Sequence, residues 1–322
     1  MLSRRRPPAS TPDVRVVRPV KGFTVDLPDG RRVTGRIWPG DGDPLVLVHG
    51  LFDSSEGWVE LARGTGRPCV AVDLPGFGGS DLPAAPRIAS YAADVAVVLD
   101  ELGVERATLV GHSLGGAVAA AVAERSSAIA SLVLLAPAGF GRIRAAELVT
   151  RPVIVDLATL VLPLALVNPL VVSASYMAFV GRGRLPGRSL VTRMRASASR
   201  APSGVRAAVV AIASLGRERQ RRLDFHGPVG VLWGVDDVLV PAGHAGRVLA
   251  AFPQAEVELW PGMGHHPQQE RLDDLIAFVE RYAGEARTPR TARVARAARV
   301  AEAAQGAASR VPAPVSPLPL AA

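Results

Sequence analysis

The feature that most constrains the fold is a short apolar segment that runs directly into a glycine-rich turn. Residues 107–110 have the pattern of a buried strand, Gly111-His112-Ser113-Leu114-Gly115 follows at once, and residues 114–125 have the pattern of a helix. A strand that becomes a helix so abruptly strains the backbone at the apex, and the residues two before and two after the apex crowd the turn. Gly111 and Gly115 stand at those two positions. The stretch therefore predicts a strand, a tight turn with Ser113 at its apex, and a helix.

Short apolar segments of the same kind recur along the chain and alternate with segments of helical pattern. We predict further strands at 45–48, 69–72, 131–135, 229–233 and 256–259, and further helices at 55–63, 91–102, 242–251 and 270–282. Hydrophobic residues make up 48% of the chain and aromatic residues only 5%, so the core consists mainly of Val, Leu, Ile and Ala, as in sheets that helices cover on both faces. The pattern predicts an α/β fold with a doubly wound, mostly parallel sheet.

A hairpin is predicted ahead of these units. Asp29-Gly30 lies in a turn between two segments, 23–27 and 31–38, that alternate apolar and polar residues. Such a pair of residues between alternating segments is a strong short-range hairpin signal.

The alternation stops between residues 139 and 222, where Leu- and Val-rich stretches mix with prolines and with a basic, Ser-rich segment. We interpret this segment as a helical lid inserted into the α/β core, which it divides into residues 14–138 and 223–283. Residues 1–13 are predicted to be disordered, and residues 284–322 form an Ala-, Arg- and Pro-rich tail of low complexity.

The net charge of +8 is concentrated at the two ends of the chain. Residues 1–36 carry nine Lys or Arg against three Asp or Glu, and residues 281–322 carry seven Arg against two Glu. Basic ends of this kind are more often solvated tails than nucleic-acid contacts. We therefore expect no nucleic-acid partner, and we keep peripheral membrane contact through the lid or the tails as an alternative.

Neither export nor redox chemistry is indicated. Cys69 is the single cysteine, which excludes an intrachain disulfide, and it lies in the apolar run 69–72. Arg4-Arg5-Arg6 is followed by prolines rather than by the apolar stretch of a secretory signal. The most apolar segment, 152–172, is interrupted by a charged residue and prolines, so it is no clean membrane span. These features predict a cytoplasmic protein.

No cofactor and no metal are expected. The six histidines are scattered, no Cys-x-x-Cys pair exists, and no glycine-rich nucleotide fingerprint opens a helix. The glycine-rich run Asp73–Ser80 lacks the context of a phosphate-binding loop, and we assign it a structural role at the rim of the site.

Four motifs together resemble the α/β-hydrolase superfamily over roughly residues 20–283. They are Val48-His49-Gly50, Asp73-Leu74-Pro75-Gly76-Phe77-Gly78-Gly79-Ser80, Gly111-His112-Ser113-Leu114-Gly115 and Gly264-His265. The third is the nucleophile elbow of this superfamily, and the resemblance implies that Ser113 is the nucleophile. Serine at this position, rather than aspartate or cysteine, implies a route through an acyl-enzyme.

The resemblance also implies the partners of Ser113, because a serine hydroxyl needs an adjacent base and the base an orienting acid. The base follows a glycine in the loop after the last strand, which implies His265, with His266 as a neighbour in the pocket. The acid stands three residues beyond a glycine after an earlier strand, which implies Asp237. Asp236 is directly adjacent and stays open as the alternative acid.

Two backbone N–H groups are needed to stabilise the oxyanion of acyl transfer. One is the amide of Leu114, next to the nucleophile. By resemblance the other is the amide of Leu51, with Phe52 as second choice. Phe52, His112 and His266 are the candidates for the substrate pocket.

These features predict a hydrolase that cleaves a carboxylic ester of a small or medium apolar molecule without a cofactor. The apolar character of residues 152–172 favours an apolar acyl or alkyl group. The same triad also serves C–C bond hydrolases, thioesterases, lactonases and acyltransferases. A ligand-binding protein of the same fold with little turnover is the alternative from another class.

Overall fold

The computed structural model describes residues 20–83, 87–143, 168–179, 185–199 and 223–285, together with Leu157, Val161 and Ala165. The N-terminal residues 1–13, most of the segment 139–222 and nearly all of the tail after residue 283 lie outside the described residues. The predictions of a disordered N-terminus and a low-complexity tail therefore stay predictions.

Eight strands of the described chain form one sheet in the order β1-β2-β4-β3-β5-β6-β7-β8. Their bounds are β1 (Lys21–Asp26), β2 (Arg32–Trp38), β3 (Leu45–Val48), β4 (Cys69–Val72), β5 (Ala107–His112), β6 (Ile129–Leu135), β7 (Val229–Gly234) and β8 (Glu256–Trp260). The pairs β1–β2 and β2–β4 are antiparallel, and the five pairs from β4 to β8 are parallel. The predicted doubly wound, mostly parallel sheet is confirmed.

The predicted hairpin is the antiparallel edge of this sheet. Asp26 of β1 is paired with Arg32 of β2, and Leu27 N–H donates to the carbonyl of Arg31 at 2.7 Å. Gly30 has a φ of 83° in the turn between them, a backbone conformation that glycine adopts without strain.

Helices cover both faces of the sheet. Their bounds are α1 (Val59–Thr65), α2 (Ile88–Glu101), α3 (Leu114–Ala123), α4 (Pro169–Phe179), α5 (Arg188–Ser199), α6 (Ala245–Ala251), α7 (Pro267–Glu270) and α8 (Leu272–Glu285). The strand β3 shows how the two layers arise, because successive side chains point to opposite faces. Val46 and Val48 pack in the layer of α2, α3 and α6, whereas Leu45 and Leu47 pack in the layer of α1 and α8.

Three predicted helices differ in detail from the observed ones. The segments 55–63 and 242–251 begin as short 3-10 turns, Ser55–Trp58 and Ala242–His244, before α1 and α6. The helix predicted at 270–282 begins at Leu272, because Arg271 has a φ of −149° and separates it from α7, which ends at Glu270. The helix α8 continues to Glu285, two residues into the segment assigned to the tail.

Helices α4 and α5 lie in the chain between β6 and β7, which are adjacent parallel strands with Leu132 opposite Val229. The intervening segment therefore leaves the sheet at the carboxyl end of β6. Nucleophile elbows and ligand sites of open α/β sheets lie at this edge. No helix within the described residues has the length and apolar character needed to cross a bilayer.

Candidate active site

Ser113 lies at the apex of a strained turn between β5 and α3. Its backbone has a φ of 54° and a ψ of −117°, which a residue with a side chain rarely adopts. The N–H of Ser113 donates to the carbonyl of Leu135 at 2.9 Å, and its carbonyl accepts from the N–H groups of Gly116 and Ala138, both at 2.9 Å. Three backbone hydrogen bonds thus hold the serine in its unfavourable conformation.

The two glycines of the turn are required by close backbone contacts. A Cβ atom on Gly115 would lie 2.3 Å from the carbonyl oxygen of Val48, and one on Gly111 would lie 2.3 Å from the carbonyl oxygen of Gly115. Both distances are too short for any side chain. The turn can therefore pack against β3 only with glycine at these positions.

His265 and Asp237 form a buried pair beside this turn. His265 Nδ1 lies 2.6 Å from Asp237 Oδ2, and the two side chains are 4% and 0% exposed. The other carboxylate oxygen of Asp237 accepts from the N–H groups of Leu239 and Val240, both at 2.9 Å. Because the carboxylate accepts, His265 Nδ1 carries the proton and Nε2 keeps its lone pair. Of the two adjacent aspartates, Asp237 supplies this hydrogen bond.

His112 connects the serine to this pair. Its Nε2 lies 2.8 Å from the carbonyl oxygen of His265, so Nε2 is the protonated nitrogen, and the two imidazole centroids are 4.9 Å apart. Burial, and next the nearby His265, lower the pKa of His112 from 6.5 to about 3. His112 is therefore a neutral donor. Its sequence neighbour Ser113 and the catalytic candidate His265 are brought together through this bond.

The two predicted oxyanion donors belong to segments that meet at Ser113. Leu114 is the first residue of α3, where a backbone N–H has no partner within the helix. Gly50 lies against the elbow, since a Cβ atom on it would be 3.1 Å from the Cβ of Ser113. Leu51 follows Gly50 directly, and both predicted donors are thus carried by chain segments at the nucleophile.

The segment His49–Asp53, which we call the oxyanion loop, is fixed at its start by His49. The Nδ1 of His49 lies 2.7 Å from the carbonyl oxygen of Gly50, and its Nε2 accepts from the N–H of Leu74 at 3.0 Å. Further along the loop, Phe52 has a φ of 58°, and Asp53 N–H makes a long 3.4 Å hydrogen bond to the carbonyl of Gly50. The loop is well held at its first residue and strained further along.

The run Asp73–Ser80 supports the same region. The buried carboxylate of Asp73 accepts from the N–H of Ser55 at 2.6 Å, from the hydroxyl of Thr34 at 2.8 Å and from the N–H of Gly79 at 3.1 Å. A single side chain thus ties together three separate segments of the chain, which agrees with the structural role assigned to this run.

Helices α4 and α5 pack over the oxyanion loop. Buried Val172 of α4 contacts Phe52, and Arg193 of α5 donates from Nε to Asp53 Oδ1 at 2.5 Å. The side chains of Arg193 and Asp53 are 8% and 5% exposed. Sequence reasoning did not find this pair, because neither residue belongs to a motif and 140 positions separate them.

His266 lies between the catalytic candidate His265 and helix α4. Its ring stacks on Tyr176 with centroids 5.7 Å apart, and lies 5.0 Å from the ring of His112. Burial lowers the pKa of His266 well below 6.5, and the neighbouring histidines and Arg193 lower it further. Its Nδ1 is buried without a hydrogen-bond partner among the described residues. The place of His266 in a substrate pocket stays a prediction, and Tyr176 is a neighbour that the sequence did not indicate.

The described residues contain no group of three or more His, Cys, Asp or Glu side chains placed to hold a metal ion.

Solved structures similar to this one share its architecture. An epoxide hydrolase, CorEH, aligns with a TM-score of 0.70 at 18% identity, over 84% of this chain and 100% of that one. A thermophilic esterase from Thermogutta terrifontis aligns with a TM-score of 0.67 at 21% identity, over 83% of this chain and 100% of that one. At these identities the likeness concerns the fold.

Three sequence relatives extend over most of the chain. An uncharacterised protein of Mycobacterium tuberculosis is 31% identical over 83% of this chain and 84% of its own length. The dihydrolipoyllysine-residue acetyltransferase component of the acetoin cleaving system of Pseudomonas putida is 31% identical over 75% of this chain and 64% of its own length. A 2-hydroxy-6-oxononadienedioate/2-hydroxy-6-oxononatrienedioate hydrolase of Comamonas testosteroni is 27% identical over 73% of this chain and 85% of its own length.

The family model described as alpha/beta hydrolase fold matches residues 43–272, which include β3 to β8, the elbow, Asp237 and His265. This match covers well over half of the chain and agrees with the sheet order and the strained serine. The protein is a member of the α/β-hydrolase fold family.

Proposed function

We propose that this protein is a serine hydrolase that cleaves a carboxylic ester of a small or medium apolar substrate through an acyl-enzyme. The observation that carries the proposal is the strained apex at Ser113, whose neighbour His112 is hydrogen-bonded to the main chain of His265, while His265 Nδ1 lies 2.6 Å from the buried carboxylate of Asp237. This arrangement leaves His265 Nε2 as the one basic nitrogen of the pair, in the role that a serine nucleophile requires.

The reaction follows from these roles. Ser113 Oγ attacks the ester carbonyl while His265 Nε2 takes the hydroxyl proton, and Asp237 stabilises the imidazolium that forms. The negative charge moves to the carbonyl oxygen, where the N–H groups of Leu51 and Leu114 receive it. The imidazolium then gives its proton to the leaving alcohol. A water molecule, activated by the same histidine, releases the acid and restores Ser113.

The surroundings of the triad favour an uncharged acyl group. His112 and His266 both have lowered pKa values and are neutral, so the positive charge of the reaction develops on His265. Phe52 and the apolar face of helix α4 around Val172 offer carbon surface beside the oxyanion loop. Helices α4 and α5, as part of a lid, would roof a pocket for an apolar acyl or alkyl chain.

C–C bond hydrolysis is the second candidate, since the Comamonas testosteroni relative is named for that type of substrate. The same serine and histidine would then release a carbon leaving group. Acyl transfer is favoured by the name of the Pseudomonas putida relative, although this chain spans less than two thirds of that protein. Paired assays on a p-nitrophenyl ester and on a vinylogous 1,5-diketone separate ester from C–C cleavage.

The nucleophile is tested with a fluorophosphonate and intact-mass analysis. We expect one adduct on the wild-type protein and none on Ser113→Ala. An equal adduct on the folded variant, or no adduct on folded wild type, would contradict the assignment and would favour a ligand-binding protein with little turnover.

The acyl pocket is tested with a series of p-nitrophenyl esters of increasing chain length. We expect kcat/KM to rise from acetate to medium-length chains, because each buried CH2 adds about 0.8 kcal/mol of binding. A profile that is flat, or highest for acetate, would contradict the apolar lid.

A further inference from the structure

A buried ion pair joins helix α5 to the oxyanion loop. Arg193 donates from Nε to Asp53 Oδ1 at 2.5 Å, and both side chains are almost completely buried. A buried charge without its partner is strongly unfavourable, because it has lost water without gaining a counter-charge. Separating Arg193 from Asp53 while both stay buried is therefore strongly unfavourable.

Asp53 cannot easily turn away from Arg193. Its Oδ1 also accepts from the N–H of Ser54 at 2.9 Å, and its Oδ2 lies so near Gly57 that a Cβ atom there would be 2.5 Å from it. The carboxylate is held on one side by its own loop and on the other by α5. A displacement of α5 from the core would therefore break a contact of Asp53.

Asp53 lies two residues after Leu51, the proposed oxyanion donor. The turn between them is closed by the long 3.4 Å hydrogen bond from Asp53 N–H, and it contains Phe52 with a φ of 58°. Such a turn needs support from outside itself. That support comes from α5 through Arg193 and from α4 through Val172.

The pair is not merely one contact within a packed interface. A cleft of about 410 Å³ lies beside it, and its lining includes Arg193 and Ala196 of α5 together with Ser54, Ser55 and Glu56. On this side of α5 the ion pair bridges to the core where apolar packing is incomplete.

We propose that the Arg193–Asp53 ion pair is a positioning device that aligns the oxyanion loop, so that the N–H of Leu51 points at the reacting carbonyl only while α5 is docked. The inference rests on the proposed hydrolase function of Ser113. Arg193 acts through Asp53 on the loop and is a positioning residue. Docking of α5 and completion of the oxyanion hole are then one event.

The test compares Arg193→Met with Arg188→Met, which removes a charge from an exposed position of the same helix. For p-nitrophenyl acetate we expect Arg193→Met to lower kcat about 100-fold with little change in KM, because a small misplacement of a catalytic group has an effect of this size. Arg188→Met should stay within twofold of wild type. Arg193→Lys, which restores the charge, should recover part of the loss.

Two further measurements report on the loop itself. Hydrogen–deuterium exchange should rise in a peptide that covers residues 49–54 in Arg193→Met and not in Arg188→Met. Binding of a phenylboronic acid, whose tetrahedral serine adduct places an oxygen in the oxyanion hole, should weaken by the same factor as kcat/KM. If Arg193→Met does not fold, Asp53→Asn, which keeps the shape and removes the charge, takes its place in all three comparisons.

The outcomes separate this inference from the function on which it rests. Wild-type protein that neither hydrolyses the ester nor reacts at Ser113 contradicts the function. Active wild type with equal kcat and equal loop exchange in Arg193→Met and Arg188→Met contradicts the positioning role. A loss of kcat matched by an equal loss of folded protein, without faster exchange of residues 49–54, contradicts it as well.

Discussion

His112 donates a hydrogen bond from Nε2 to the main-chain oxygen of His265 at 2.8 Å. The residue before the proposed nucleophile therefore fixes the backbone of the proposed base. Gln268 approaches the other ring nitrogen of His112 at 3.4 Å, which suits a neutral imidazole with a lone pair on Nδ1. The contact has consequences for stability that can be measured.

Protein stability should fall as the pH drops below 6.5. An unfolded histidine binds a proton near pH 6.5, whereas folded His112 does so only near pH 3, and the pKa of His266 is also lowered. Over this window the unfolded state holds more protons, so each group removes up to about 1.4 kcal/mol of stability per pH unit. Urea unfolding between pH 7 and pH 5 measures the slope.

The matched variants are His112→Gln and His226→Gln. His226 is exposed, with a side-chain exposure of 88%. We expect a flatter dependence of unfolding free energy on pH for His112→Gln and the wild-type slope for His226→Gln. Equal slopes in all three proteins would mean that His112 does not contribute.

Asp237→Asn should lower kcat by about 10⁴-fold, because an amide no longer favours the His265 tautomer with the proton on Nδ1. Asp236→Asn should change kcat only a few-fold, since the hydrogen bond to His265 comes from Asp237. Ester hydrolysis by both variants, with circular dichroism to establish folding, measures this. An equal or larger loss in Asp236→Asn would transfer the role of the acid to Asp236.

Gly115→Ala should lower the free energy of unfolding by about 3 kcal/mol or more, since its Cβ would lie 2.3 Å from a carbonyl oxygen of β3 that cannot move freely. Gly246→Ala is the control, because nothing lies within 4 Å of a Cβ atom at that position in α6. There we expect no loss and a gain of up to about 1 kcal/mol. Thermal unfolding of both variants gives the comparison, and similar midpoints would contradict the crowding at the elbow.

Asp73→Ala should destabilise the protein by about 3 kcal/mol or more, because the N–H groups of Ser55 and Gly79 and the hydroxyl of Thr34 lose their acceptor. Asp274→Ala removes an exposed carboxylate that pairs with Arg271, and its effect should be about 0.5 kcal/mol. Urea unfolding measures both. A small effect at Asp73 would show that water replaces the carboxylate.

The sequence predicted best those parts of the fold in which burial requires a simple pattern of apolar residues. Strands β3 and β4 have the predicted bounds, because strands covered on both faces are uninterrupted apolar runs. The elbow was predicted from its glycines, since backbone crowding leaves no other residue possible. The break at Arg271 was not predicted, because its neighbours on both sides have helical character.

The sequence indicated those candidate site residues that belong to a motif, and it did not indicate the contacts between them. The resemblance implied His265 and favoured Asp237 over the adjacent Asp236, and the structure has Asp237 Oδ2 at 2.6 Å from His265 Nδ1. The sequence placed His112 among the pocket candidates, but it contained no sign that His112 Nε2 binds the His265 carbonyl. The partner of Asp53 depends on how α5 packs on the core, and no local pattern in the chain encodes that.

The order of the strands determines when a newly made chain becomes chemically competent. Ser113 follows β5, whereas Asp237 and His265 follow β7 and β8, the last two strands of the described part of the chain to leave the ribosome. A nascent chain that has completed β1 to β6 therefore carries the proposed nucleophile without the proposed acid and base. For the ester hydrolase proposed above, turnover of an ester would therefore report that β7 and β8 have joined the sheet.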